Sequence, residues 1–245
     1  MLEGLNSAAA GMAAQQQRID AVANDLANAN TTGYKHVRVG FRDLVYTQTG
    51  RSSAQGPRTG AGAAAVDAGR GFAQGVLQRT DQPWDVAIQG DGFIRVKLSD
   101  GRQALTRDGS LRVDGGGRLV TSSGALVQPA ITVPAGTDPS QVSIAPDGTV
   151  LAAGRSIGRI ELASVRSPQG LQAVGDNAFV ATQDSGAVRA APATTTLAQG
   201  ALEMSNVDVA DAMVAMIESQ RAFQLTSKAI QTQDQMWEIA NGVKR

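Results

Sequence analysis

Apolar residues recur every seven positions at both ends of this chain and alternate with polar ones through its middle. Leu5, Met12, Ile19 and Leu26 make the first stripe; Val209, Met216, Phe223, Ile230 and Trp237 make the second. A seven-residue apolar repeat keeps one seam of a helix turned toward a partner helix. Both ends are therefore predicted helical, and predicted to pair as one coiled-coil domain. The first helix is expected over residues 3–29, where Ala8, Ala9, Ala10, Ala13 and Ala14 favour it. Its stop is expected in Asn28-Ala29-Asn30-Thr31-Thr32-Gly33, because Asn and Gly tolerate the left-handed conformation that closes helices. The second is expected from 207 to Asn241-Gly242, behind the capping run Ser205-Asn206-Val207-Asp208, with Asn206 as the cap.

Between about 76 and 200 the pattern changes to short alternating runs separated by turn dipeptides. Asp91-Gly92, Asp100-Gly101, Asp108-Gly109, Asp114-Gly115 and Asp147-Gly148 each read as a hairpin signal. Strands are expected at Phe93 to Leu98, Leu111 to Val113, Arg118 to Val120, Ile131 to Val133, Ile157 to Val165 and Ala178 to Ala181. The fold class that follows is α+β: paired terminal helices, a central all-β domain, and a flexible Gly/Ala-rich connection. The expected domains are 1–33 with 205–245, the connection 34–75, and the β domain 76–204. Within 34–75, Tyr34, Val37, Val39, Phe41, Leu44 and Tyr46 suggest a short extended or hairpin segment. The stretch from Gly50 to Gly75, rich in Gly, Ala, Ser and Gln, is expected to be mobile or ordered by a partner.

The flanking seam positions are small or polar: Ala8, Gln15, Val22 and Ala29 on the first helix, Ala212, Ser219, Thr226 and Gln233 on the second. Such a pair of helices buries too little to stand alone. Neighbouring subunits are expected to complete its core, and the glutamines at 15–17, 220, 224 and 231 suit close polar packing against further helices.

Composition narrows the chemistry. The net charge is zero and only 18% of the residues are charged, which gives no electrostatic case for nucleic acid or an anionic membrane. The absence of Cys removes disulfides, thiolate nucleophiles and Cys-based zinc sites. Residues 1–6 lack the basic and apolar regions of a cleaved signal peptide, so the chain is expected to be soluble and cytoplasmic, or exported by a route that leaves it intact.

Three segments, taken together, resemble the flagellar rod, hook and hook-associated axial proteins. Ala23-Asn24-Asp25-Leu26-Ala27-Asn28-Ala29-Asn30-Thr31-Thr32-Gly33-Tyr34-Lys35 is similar to the N-terminal signature of that family, with Asp25 in place of its usual second Asn. Ser205-Asn206-Val207-Asp208, with Met216-Ile217, Gln220-Arg221-Ala222-Phe223 and Ser227-Lys228-Ala229-Ile230, resembles the C-terminal signature. Asp85 to Phe93, Thr106 to Ser110 and Gln128 to Ile131 match the middle. Leu119-Val120-Thr121, Gln128 to Pro134 and Ser205-Asn206-Val207-Asp208 in combination look most like distal rod members, while the departure at 50–75 leaves a proximal-rod relative open.

The resemblance implies a non-enzymatic structural subunit with no cofactor and no small-molecule substrate. It implies a homo-oligomer, a helical polymer around a channel, with adjacent rod subunits, the hook protein, the flagellar type III export apparatus and ring or bushing proteins as partners. Location is expected in the periplasmic part of the basal body, and the mechanism is torque transmission. The nine stripe residues would carry the helix seam. Asn24, Leu26, Asn28, Thr31, Gly33, Tyr34, Lys35, Ser205, Asn206, Val207 and Asp208 would carry the signatures, with Asn24, Asn28, Gly33 and Tyr34 fixing the exit from the first helix. An exported β-domain binding module is the competing class.

Sharper chemical readings find less support. Gly60-Ala61-Gly62-Ala63-Ala64-Ala65 fits a dinucleotide fingerprint, which needs a strand before it and a helix after it. Asp108-Gly109 with Asp114-Gly115 lacks the spacing of an EF-hand. His36, the single histidine, has no Cys or second His to share a metal with. Asp81 and Asp85, around Pro83-Trp84, read as helix-capping, turn or β-contact residues rather than paired catalytic carboxylates. Asn30-Thr31-Thr32 fits a glycosylation sequon but lies inside the signature.

Overall fold

The computed structural model describes residues 2–44, 47–48 and 58–242. It divides into two compact units. The helical unit comprises residues 1–27, 37–68 and 208–245, and the β unit comprises 28–36 and 69–207.

Helix α1 (Leu2–Ala27) and helix α2 (Val209–Gly242) form the frame of the helical unit and pack against each other. Strand β1 (Val37–Asp43) pairs with β4 (Ala63–Arg70), and the short β2 (Thr47–Gln48) pairs with β3 (Arg58–Thr59). The ordered β4 corrects the expectation of a mobile connection for residues 63–70. Its small side chains pack without demanding much apolar surface, and Leu44 N donates to Gly62 O at 2.8 Å beside it. The same strand places no helix after the Gly60–Ala65 run, so the dinucleotide context is not met. Tyr46 and residues 49–57 of the expected connection lie outside the described residues.

α2 starts where its caps dictate. The Asp208 carboxylate accepts from Ala210 N at 2.8 Å and Asp211 N at 3.2 Å, and Asp208 O accepts from Ala212 N. Asp208, not Asn206, is the cap, with Asp211 in the first turn favouring the positive end of the helix dipole.

The β unit holds β5 (Leu77–Arg79), β6 (Val86–Gln89), β7 (Phe93–Lys97), β8 (Gln103–Thr106), β9 (Leu111–Val113), β10 (Leu119–Thr121) and β11 (Leu126–Val127). These are followed by β12 (Val142–Ile144), β13 (Thr149–Ala152), β14 (Arg155–Arg159), β15 (Leu162–Ser164), β16 (Gln172–Gly175), β17 (Ala178–Val180), β18 (Arg189–Ala190), β19 (Thr196–Gln199) and β20 (Ala201–Glu203). The main sheet runs β16-β17-β8-β7-β11-β10-β9, with β15 also on β7 and β18 on β15. β12-β13-β14 make a second sheet, and β19 and β20 return from late in the chain to pair with β6 and β5. Val86, Ile88, Ile94, Val96, Leu119, Val127, Ile131, Val150 and Ile160 form the main core.

Three of the five Asp-Gly signals sit in hairpins. Gly101 N donates to Leu98 O between β7 and β8, Gly117 N to Asp114 O between β9 and β10, and Gly148 N to Ala145 O between β12 and β13. Asp91-Gly92 and Asp108-Gly109 do not, since β6 pairs with β19 and β8 pairs with β7 and β17. Gly109 is required by close approach instead: a Cβ there would lie 1.6 Å from Val86 O. The strand expected at Ile131 to Val133 is reduced to a single bridge, Arg118 to Thr132, between Pro129 and Pro134, which lack ladder donors. The run expected from Ile157 to Val165 breaks at Ile160, whose N–H turns to Gly148 O.

Candidate functional site: helix faces and a buried ionic junction

In the helical unit α2 has two apolar faces. At 3.6 residues per turn, Met216, Ser219, Phe223, Thr226 and Ile230 share one face, and all are buried or half-buried. Val214, Ile217, Leu225, Met236 and Ile239 fall on the opposite side and are exposed, Leu225 by 70%, while Met213, three residues before Met216, is exposed at the flank between the two faces. Of the second stripe, Val209 and Trp237 are also exposed.

On α1 Leu5, Met12, Ile19 and Leu26 are half-buried. Ala14 and Asp25 are buried, and the Asp25 carboxylate accepts from Val37 N at 3.0 Å. Arg18 lies 3.7 Å from Glu218 on α2, with its guanidinium 6.0 Å from the Phe41 ring centre. Gln15 Oε1 is buried with no hydrogen-bond partner. An acceptor left unpaired in this way costs about 1–3 kcal/mol.

The signatures meet in the β unit. The chain leaves α1 through a turn in which Thr31 N donates to Asn28 O and Thr31 Oγ1 to Asn28 Oδ1. Gly33 follows at φ +67, where a Cβ would stand 2.6 Å from Asp108 N. Tyr34 is buried with the Arg70 guanidinium over its ring at 5.5 Å. Asn24 is exposed on α1. Asp108 is nearly enclosed and holds this segment: its carboxylate accepts from Thr32 Oγ1, Ser110 N and Ser122 Oγ.

Beneath this turn Lys35, Glu203 and Arg107 form a cluster almost sealed from water, with side chains 0%, 0% and 2% exposed. Lys35 Nζ donates to Glu203 Oε1 at 2.5 Å and to Ala73 O at 2.8 Å. Arg107 reaches both Glu203 oxygens at 3.2 Å and donates to Gly90 O at 2.9 Å. Gly75 N adds a bond to Glu203 Oε1, and Gly33 N one to Glu203 O. Burial pushes the Lys35 ammonium below the ordinary lysine pKa, against the opposing pull of its hydrogen bond to Glu203.

Asn206, displaced from the capping role, ties the same place together. Its Oδ1 accepts from His36 N, and its Nδ2 donates to Gly71 O and Ala73 O. Ser205 Oγ accepts from Val207 N. The single histidine is thereby placed: its ring lies 3.4 Å from Asn206 Oδ1 and against Gly71, where a Cβ would meet it. Asp81 and Asp85 are turn contacts, bonded to Arg79 and to Thr80 Oγ1. Among the described residues there is no group of three or more His, Cys, Asp and Glu able to hold a metal, and no helix long and apolar enough to cross a membrane. Sequence reasoning missed Arg107 and Glu203 as site residues; the one available signal was the lone charge of Glu203 inside the short apolar run Ala201 to Met204, and nothing comparable marks Arg107, which stands beside Asp108.

Comparison with known proteins places these features. Residues 5–35 match the model of the flagella basal body rod protein, 87–152 that of the flagellar hook protein FlgE/F/G D1 domain, and 198–243 that of the flagellar basal body rod FlgEFG protein C-terminal. The flagellar basal-body rod protein FlgG of Borreliella burgdorferi is 40% identical over 264 residues, covering 100% of both chains. The chain belongs to the flagellar basal-body rod protein family. The FlgG proteins of Caulobacter vibrioides and Bacillus subtilis are 36% and 35% identical, covering 99% and 100% of this chain and 100% of each relative. Within this rod family frame, the N-terminal match ends at Lys35 and the C-terminal match takes in Glu203, so the two matches meet at the ionic cluster.

Proposed function

We propose that this rod-family chain is a structural subunit of the flagellar basal-body rod, in its distal part. Copies assemble into a helical tube that passes torque from the motor to the hook. The observation that carries this reading is the double-faced α2: one face is half-buried in the subunit, and the opposite face presents Val214, Ile217, Leu225 and Ile239 to solvent. Exposed large apolar groups along one helix face mark a contact surface. A heterologous contact repeated without closure generates a helical filament. The seven-residue repeat of Leu5, Met12, Ile19 and Leu26, and of Val209, Met216, Phe223, Ile230 and Trp237, supports coiled-coil packing of the helices in that tube. Adjacent rod subunits and the hook protein are the proposed neighbours. Export through the flagellar type III apparatus to the periplasmic rod completes the reading.

Leu225→Asp tests it. The side chain is exposed, so the purified subunit keeps its unfolding free energy within about 0.5 kcal/mol, while the variant is absent from purified basal bodies. Normal incorporation would remove this face from the assembly contact. The distal position is tested by electron microscopy of a strain lacking the gene, which is expected to show a short rod stub without a hook; intact basal bodies would overturn the rod reading.

A further inference from the structure

The backbone passes between the two units four times, after Ala27, His36, Ala68 and Val207. On the β-unit side these passages lead into three segments: 28–36, 69–76 and 203–207. Few of the bonds holding these segments are local. Gly33 N goes to Glu203 O, Gly71 N to His36 O, and Met204 N to Val76 O. Arg70 donates to Lys35 O at 3.0 Å. Lys35 joins Glu203 to Ala73, and Asn206 joins His36 to Gly71 and Ala73. Each segment is thus bonded to both others, and Arg107 anchors the knot to the sheet through β8 and to Gly90.

We propose that the Lys35–Glu203–Arg107 cluster, with Asn206, is a clamp that makes these three segments open and close as one unit and so carries mechanical load between the terminal helices and the β unit. The load-carrying role rests on the rod reading; the concerted opening does not. A pull on one segment, resisted only by its own bonds, would break them one at a time. Lys35 of one segment and Arg107 of the sheet sit on the Glu203 carboxylate of another, and the third bonds the same ions through Ala73 O and Gly75 N, so no segment leaves without stripping a partner from a buried charge. Lys35 and Asn206 are here positioning residues for torque transmission.

Lys35→Met is the clean variant. It keeps an unbranched apolar stem and leaves Arg107 and Glu203 as a balanced pair, while Ala73 O retains its bond from Asn206. In amide hydrogen exchange of the full chain, Gly33, His36, Gly71, Gly75 and Met204 are expected to exchange with one common protection factor. In Lys35→Met all five should exchange at least tenfold faster together, with Leu119 and Ile160 unchanged. In cells the variant rods should reach normal length, yet swimming in viscous medium should fall and hooks should be shed with rod fragments. Should Lys35→Met fail to fold, Asn206→Ala cuts the His36, Gly71 and Ala73 ties without touching a charge and takes the same measurements. Separate responses of the five amides, or native swimming under viscous load, would overturn the clamp. Loss of the rod reading itself would show in the gene-deletion strain, independently of the exchange result.

Discussion

In the β unit Val86, Ile88, Ile94, Val127, Val150 and Ala163 have no exposed surface, whereas on α2 Met213, Val214, Ile217, Leu225, Met236 and Ile239 stand half or more in solvent. The polar groups do not divide the same way: the β unit gives the Glu203 and Asp108 carboxylates three donors each, yet it leaves Arg95 Nε and Arg107 Nε unpaired, as the helical unit leaves the Gln15 amide oxygen. Burial of a whole apolar side chain stabilises by about 1.5–3 kcal/mol. The β unit collects that stabilisation within one chain, and the helices collect only part of it. The contrast separates a unit whose core closes within the chain from one that leaves apolar faces open to solvent.

The largest expected effect that would break this contrast is in the β unit. Glu203→Ala leaves the Lys35 and Arg107 charges buried without an anion, and should destabilise that unit by about 3–5 kcal/mol. The two tryptophans report separately, since Trp84 lies in the β unit and Trp237 on α2. Urea unfolding followed by Trp84 fluorescence in a Trp237→Phe background should show the loss; an unchanged midpoint would mean the cluster contributes nothing to the unit.

Phe223→Asp acts on the other side of the comparison. Placing a carboxylate in the half-buried seam should cost about 1–3 kcal/mol and should prevent incorporation into basal bodies, with the Trp84 transition unmoved. A shift of that transition would show that the units are not energetically separate. The smallest effect is at the start of α2. Asp208→Ala removes the acceptor for two helix N–H groups and should cost about 1 kcal/mol of helix stability, read as faster exchange at Ala210 and Asp211 alone. An equal acceleration at Ile217 or Phe223 would mean that the helix frays as a whole.

Particular residues show how far the sequence could be read. The helix ends were legible because the heptad stripes, the Asn28–Gly33 stop and the Asp208 region are local signals, and local chemistry decides them. Asp100-Gly101, Asp114-Gly115 and Asp147-Gly148 were legible as hairpins for the same reason: the strands they join adjoin them. Asp108-Gly109 misled because its glycine answers to Val86, a chain approach that no dipeptide announces. Glu203 and Lys35 are 168 residues apart, and Arg107 and Glu203 are 96 apart. Nothing in a window of either neighbourhood states that these charges meet. Asn206 misled in a subtler way, since an Asn two residues before a helix satisfies capping chemistry as well as it satisfies the His36 backbone.

The hydroxyls of the α2 seam have a consequence of another kind. Ser219 Oγ donates to Ala215 O at 2.7 Å and Thr226 Oγ1 to Ala222 O at 2.9 Å, each within its own helix. Such back-bonding spends the donor internally. A helix lying against this seam owes no bond to Ser219 or Thr226, so nothing polar fixes its height. What fixes it is the shape of Met216, Phe223 and Ile230, with the two short side chains set between them. The seam is therefore keyed by steric fit, not by polar pairing.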